Sequence, residues 1–177
     1  ASVIDAKKGF YEEDPIVTMD FASLYPSIMR LKQLCYTTFV TEEEYLGIEG
    51  VKYENHEISD GVNVTFAHRP GQNSILCELE EVLGEERKAT KKLMKTEKDP
   101  FKYSLLDSKQ KAQKVTMNSI YGFTGTVNHG MLPLVEIAAA VTSTGREMIK
   151  TTKEYAERVH GCNVVYGDTD SVMVIFP

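Results

Sequence analysis

The stretch NVVYGDTDSVMVIF, Asn163–Phe176, sets two aspartates one residue apart between two apolar runs. Val164 and Val165 lead into Tyr166-Gly167-Asp168-Thr169-Asp170-Ser171, and Val172, Val174 and Phe176 then alternate. The pattern predicts two short strands joined by a tight turn, with acids at the turn. Two like charges about 4 Å apart repel by roughly 4 kcal/mol at an effective dielectric near 20, so a positive partner is called for. A solvated hairpin tip fits the same residues, since Gly and Asp are ordinary turn formers.

Working outward, residues 15–20 (PIVTMD) predict a buried strand ending on Asp20. SLYPSIMRLKQL then predicts a turn into a helix, with Pro26 near its first turn. Residues 50–67 predict a hairpin turning at Asp60-Gly61, with Val62, Val64 and Phe66 alternating after it. Gly47, Gly50, Gly61 and Gly71 make the acidic segment 41–72 a peripheral insertion. Apolar residues at helical spacing from Ser74 to Lys98 predict a helix broken at Pro100. A second helix is expected from Lys102 to Tyr121 with Gly122 as its stop, and a third over 133–160 with Gly161 as its stop. The order predicts an α+β fold.

The chain has 177 residues, 42% hydrophobic, enough for one core. No run approaches the length of a membrane span and no apolar leader is visible, so a soluble, untargeted chain is expected. Cys35, Cys77 and Cys162 form no CxxC, which suits reduced intracellular thiols. His56, His68, His129 and His160 are dispersed and read as core or surface residues, not ligands. The start at Ala1 and the stop at Pro177, directly after a strand, suggest a piece of something longer.

Net charge is −6, which does not advertise nucleic-acid binding. Yet Gly84–Thr116 holds ten Lys/Arg and five acids, a local +5 that leaves −11 for the remainder. Lys111, Lys114, Asn118 and Tyr121 share one helical face; Arg87, Lys91 and Lys95 form a second basic stripe on the preceding helix. Together they can grip a phosphate and stack on a base, or stand as two solvated faces. If the strand ending at Asp20 pairs with the 163–176 hairpin, Asp20, Asp168 and Asp170 meet at one edge. Such a cluster suits two Mg²⁺ ions, which supply the missing positive charge in an in-line phosphoryl displacement.

DFASLYPSI (20–28), KVTMNSIYG (114–122) and YGDTDS (166–171) resemble, in order, the three polymerase motifs of the family B DNA polymerases. EERKATKKLMK and LDSKQKAQK are similar to the fingers helices of that family. The resemblance runs from about Gly9 to Phe176, and only 41–73 lacks a clear counterpart. It implies an antiparallel palm sheet bearing an acidic metal site, with a two-helix fingers hairpin. The palm would comprise 1–73 (motif A plus an insertion at about 41–73) and 123–177 (motif C), and the fingers 74–122.

By the same resemblance Asp20, Asp168 and Asp170 are catalytic, with Asp20, Asp170 and the Phe21 carbonyl as metal ligands. Ser23 and Leu24 would offer backbone N–H groups to a triphosphate. Tyr25 would lie under the sugar and exclude a 2′-hydroxyl. Arg87, Lys91 and Lys114 would hold phosphates, with Asn118 beside them. Tyr121 and Gly122 would pack on the nascent base pair; Tyr166, Gly167 and Thr169 would shape the turn near the primer end. Lys111 and Gln33, which stands where the family often has Asn, receive no role.

The implied activity is template-directed transfer of deoxynucleotides to a primer 3′-hydroxyl in DNA replication, with two Mg²⁺ ions. Primer-template DNA and deoxynucleoside triphosphates would be partners, and no membrane. Nothing here matches the family's exonuclease, thumb or following basic motif. A partial sequence, inactive alone and completed by those domains, is therefore expected. YGFTG (121–125) looks closest to eukaryotic replicative enzymes and those of large DNA viruses, placing the protein in the nucleus or at a site of viral replication. A non-catalytic nucleotide- or nucleic-acid-binding module on the same fold, or a two-metal nuclease, are the alternatives.

Overall fold

The computed structural model describes residues 3–12, 14–127, 130 and 132–177; Ala1 and His129 lie outside them. Strands β1 (Val3–Ile4) and β2 (Ile16–Asp20) precede helix α1 (Leu24–Lys32). A hairpin follows, β3 (Lys52–Ser59) and β4 (Val62–His68), then α2 (Ile75–Met94), α3 (Pro100–Thr124) and α4 (Val135–His160). Strands β5 (Asn163–Asp168) and β6 (Ser171–Ile175) complete the chain. The fold is α+β, with an antiparallel sheet ordered β1-β5-β6-β2 and a separate β3-β4 pair.

Helix α4 is the spine. Its first half buries Ile137, Ala140 and Val141 against Leu24, Ile28 and Met29 of α1, Leu34 and Phe66 of β4. Its second half buries Ile149 and Ala156 against Val164, Val172 and Val174 of the β5-β6 hairpin. Phe21 packs against both clusters and so joins the two cores immediately after Asp20. The segment expected at the periphery is tied in: Phe66 is fully buried, and Ser143 on α4 donates to the Glu57 carbonyl at 2.6 Å.

Three expectations are corrected. Strand β2 forms as predicted but is not buried: Ile16, Val17 and Met19 are 39–42% exposed. The reason is its place at the sheet edge, since α4 covers β5 and β6. Helix α3 does not stop at Gly122 but runs to Thr124. The Thr124 hydroxyl donates to the Tyr121 carbonyl at 2.7 Å, and its side chain is buried, which holds the last turn together through the glycine. At its start Asp99 caps the N–H of Phe101 at 2.8 Å, with Pro100 in the first turn. Finally, α2 ends at Met94, short of Lys98. Ile75, Leu79, Val82 and Leu93 are exposed, while Cys77, Glu80 and Thr90 are buried.

Helices α2 and α3 form an antiparallel hairpin, as the matched pairs Gly84–Met117, Glu86–Gln113 and Arg87–Gln110 require. Gln33 links α1 to α2. Its amide donates to the Arg30 carbonyl at 2.9 Å and its oxygen accepts from the Ser74 N–H at 2.8 Å. One side chain thus satisfies a C-terminal carbonyl of one helix and an N-terminal N–H of the next. The three cysteines are free and buried. Among the described residues no helix is long and apolar enough to cross a membrane.

Candidate active site

The register Asp20↔Ser171 and Asp168↔Ser171 brings the end of β2 against the β5-β6 turn. Two backbone bonds fix the junction: Phe21 N–H donates to the Asp170 carbonyl at 2.8 Å, and Asp170 N–H to the Asp168 carbonyl at 2.6 Å. Thr169 at the tip has φ 52°, a left-handed conformation uncommon outside Gly, Asn and Asp. Gly167 is required by close approach. A Cβ there would meet Ile4 Cδ1 at 2.8 Å and the Ser171 carbonyl oxygen at 3.1 Å.

A cleft of about 620 Å³ opens beside this junction. Its wall comes from four separate segments. They are Asp20 through Pro26, Thr169 with Asp170, Arg87 and Lys91 of α2, and Lys114, Asn118 and Tyr121 of α3. The sequence named most of these; Ala22 and Pro26 are additions within the same motif. Lys95, Lys111, Gly122, Tyr166, Gly167 and Asp168 lie off the wall. Lys111 pairs with Asp107 at 2.7 Å, and Lys95 stands exposed at the C-terminal cap of α2.

The two acids on the wall differ from the third. Among the described residues neither Asp20 nor Asp170 has a side-chain hydrogen bond or ion pair, whereas Asp168 accepts from the Thr169 hydroxyl at 2.8 Å. No group of three or more His, Cys, Asp or Glu able to hold a metal is drawn together among the described residues. The donors that remain, two unpaired carboxylates and the Phe21 carbonyl, are hard oxygens of the type Mg²⁺ takes. In donor chemistry they fit it.

The cations line the same cleft. Lys91 and Lys114 are exposed and have no ion-pair partner among the described residues. Arg87 is held by Gln110, whose oxygen accepts from Nε and Nη2 at 3.3 Å each. Ser23 has φ 51° at the head of α1, where backbone N–H groups lack intrahelical partners. The helix dipole there favours an anion.

Tyr25 and Tyr121 meet across the cleft with ring centroids 4.5 Å apart. Burial pushes the Tyr25 hydroxyl above its ordinary pKa; the negative charge of Asp170 adds to this, and Arg146 opposes it. Tyr121 is raised by burial and then by Tyr25. Sequence reading missed what lies behind Tyr25: Gly145 of α4, within contact reach of the ring. A glycine inside a strong helical pattern was the available signal.

The profile of DNA polymerase family B matches residues 1–177. The chain is 45% identical to the DNA polymerase delta catalytic subunit of Oryza sativa subsp. japonica, over 99% of this chain and 16% of that protein. It is 44% identical to the DNA polymerase delta catalytic subunit of Drosophila melanogaster, over 99% and 17%. The DNA polymerase catalytic subunit of Rhesus cytomegalovirus (strain 68-1) is 37% identical, over 99% and 19%. The chain thus spans less than a fifth of the length of these curated relatives.

Proposed function

The chain belongs to DNA polymerase family B, and from that premise we propose that it forms the palm and fingers of a DNA-directed DNA polymerase. Residues 1–73 and 123–177 make the palm, and 74–122 the fingers. The observation that carries this reading is the cleft wall. Acids from β2 and the β5-β6 turn and cations from α2 and α3 line the same space of about 620 Å³. Opposite charges lining one cleft suit a substrate that is anionic and also brings cations.

Asp20, Asp170 and the Phe21 carbonyl would hold Mg²⁺, and Asp168 shapes the same acidic edge. Two such ions, when bound, supply charge stabilisation to the attacking and leaving oxygens. The protein's own groups do the rest. Arg87, Lys91 and Lys114 take the triphosphate, Asn118 stands beside them, and the N–H groups of Ser23 and Leu24 receive phosphate oxygens at the head of α1. Tyr25 closes the floor under the sugar against a 2′-hydroxyl, while Tyr121 and Gly122 pack on the nascent base pair. Tyr166, Gly167 and Thr169 hold the turn beside the primer end. The primer 3′-hydroxyl displaces pyrophosphate from the α-phosphate, so the products are a primer longer by one deoxynucleotide and pyrophosphate, made in replication in the nucleus or at a site of viral DNA synthesis. Primer-template DNA, exonuclease and thumb complete the enzyme.

Primer extension by the full-length polymerase tests this. Lys114→Ala is expected to lower kcat/KM for a deoxynucleoside triphosphate at least roughly tenfold, about 1.4 kcal/mol. DNA shortened rather than extended would identify a nuclease, and neither reaction a binding module. Tyr25→Ala is expected to relax sugar selection by roughly 10–100-fold, the scale on which pockets reject one added group. Unchanged discrimination would remove Tyr25 from the gate.

A further inference from the structure

We propose that Gly145 is a positioning residue for Tyr25: by leaving space behind the ring, it sets how far Tyr25 stands into the cleft and hence how strictly the sugar is selected. The inference rests on the reading of Tyr25 as the sugar gate.

Gly145 lies in the middle of α4 and is buried. Glycine is among the poorest helix formers, so a packing reason is called for at that position. A Cβ on Gly145 would reach Leu24 Cδ2 at 3.6 Å, Ile28 Cδ1 at 3.7 Å and Tyr25 Cε1 at 3.7 Å. These are ordinary contacts for one methyl, and the γ carbons of a larger residue would have to enter the same packed surroundings. Leu24 and Ile28 are locked in the core at 4% and 1% exposure. Tyr25 is half-buried and its other side borders the open cleft, so the ring is the neighbour that yields. Tyr121 of α3 also meets the ring, with centroids 4.5 Å apart, and both rings line the cleft. The ring therefore touches α4 and α3 and has the cleft as its free direction. A larger residue at 145 drives it forward, towards the sugar.

The test uses the full-length polymerase and compares kcat/KM for a deoxynucleotide with that for its matching ribonucleotide. Gly145→Val is expected to slow both but to raise the deoxy-over-ribo ratio at least about fivefold, because overpacking pushes the ring where a 2′-hydroxyl would sit. Gly145→Ala, whose methyl meets only ordinary contacts, does not displace the ring but fills the space into which it can retreat; it is expected to raise the ratio by about twofold, and carries the test if the valine variant does not fold. In a Tyr25→Ala background the valine change is expected to leave the ratio unmoved, since the ring it acts through is gone. An unchanged ratio in folded Gly145 variants, or the same rise without Tyr25, would overturn the inference while leaving the gate intact. If Tyr25→Ala alone leaves sugar selection unaltered, the gate reading fails and takes this inference with it.

Discussion

Asp170→Asn is expected to lower the turnover number of the full-length enzyme by roughly 10²–10³-fold, the scale of one charge-stabilising group at a reacting centre. The backbone of Asp170 is held at both ends, by Phe21 N–H on its carbonyl and by its own N–H on Asp168. The amide therefore occupies the same place, and the change is one of charge. Asp170 also lacks a side-chain partner among the described residues, so its loss orphans no buried group. Folding should be unaffected. Nucleotide KM should move much less than kcat, since Arg87, Lys91 and Lys114 remain. Pre-steady-state primer extension separates the two, and near-normal turnover would end the assignment.

The second large effect concerns stability. Glu80 of α2 has no exposed surface, and neither carboxylate oxygen has a hydrogen-bond partner among the described residues. Burial raises its pKa from 4.5 to about 7, and the nearby Arg30 offsets this only in part. Arg30 is already engaged by Glu81 at 2.7 Å. In an unfolded chain Glu80 ionises near 4.5, whereas in the fold it keeps its proton to about 7. The folded state therefore binds more protons across that window, and stability falls as pH rises through it. The loss by about pH 8 reaches at most about 3 kcal/mol. Glu80→Leu should remove this slope and leave the protein more stable at alkaline pH by a similar amount. Hydrogen exchange of α1 and α2 amides in the full-length protein, from about pH 5 to 8, measures it. A slope that persists in the variant would assign the effect to another group.

Periodicity made the helices and hairpins legible: alternating valines for β4, β5 and β6, the apolar spacing of α4, and the glycine after it. The cleft was legible too, because Arg87, Lys91, Lys114, Asn118 and Tyr121 recur at helical intervals and face one side. What escaped depends on neighbours distant in sequence. Strand β2 reads as buried because its residues are apolar, but exposure follows from its place in the sheet order. Gly122 reads as a stop, and only the Thr124 side chain explains why the helix continues. Phe66 sits in a segment rich in glycine and acid, yet its ring meets α4 through tertiary contact. Glu80 looks like one more charged helix residue beside Glu78 and Glu81, and nothing local marks it as the buried one. Gly145 matters only because α1 crosses α4 at that point.

The unbroken course of α3 has a mechanical side. Without a break at Gly122, the helix from Pro100 to Thr124 is one rod, and any tilt of it about Gly125 would move its residues in proportion to their distance from that end. At 1.5 Å per residue Lys114 lies about 16 Å from that fulcrum and Tyr121 about 6 Å, so a swing of about 10° carries the ammonium about 3 Å but the ring only about 1 Å. Asn118 travels an intermediate distance. Such a rotation would grade displacement along the helix, greatest at the Lys114 ammonium and least at the Tyr121 ring.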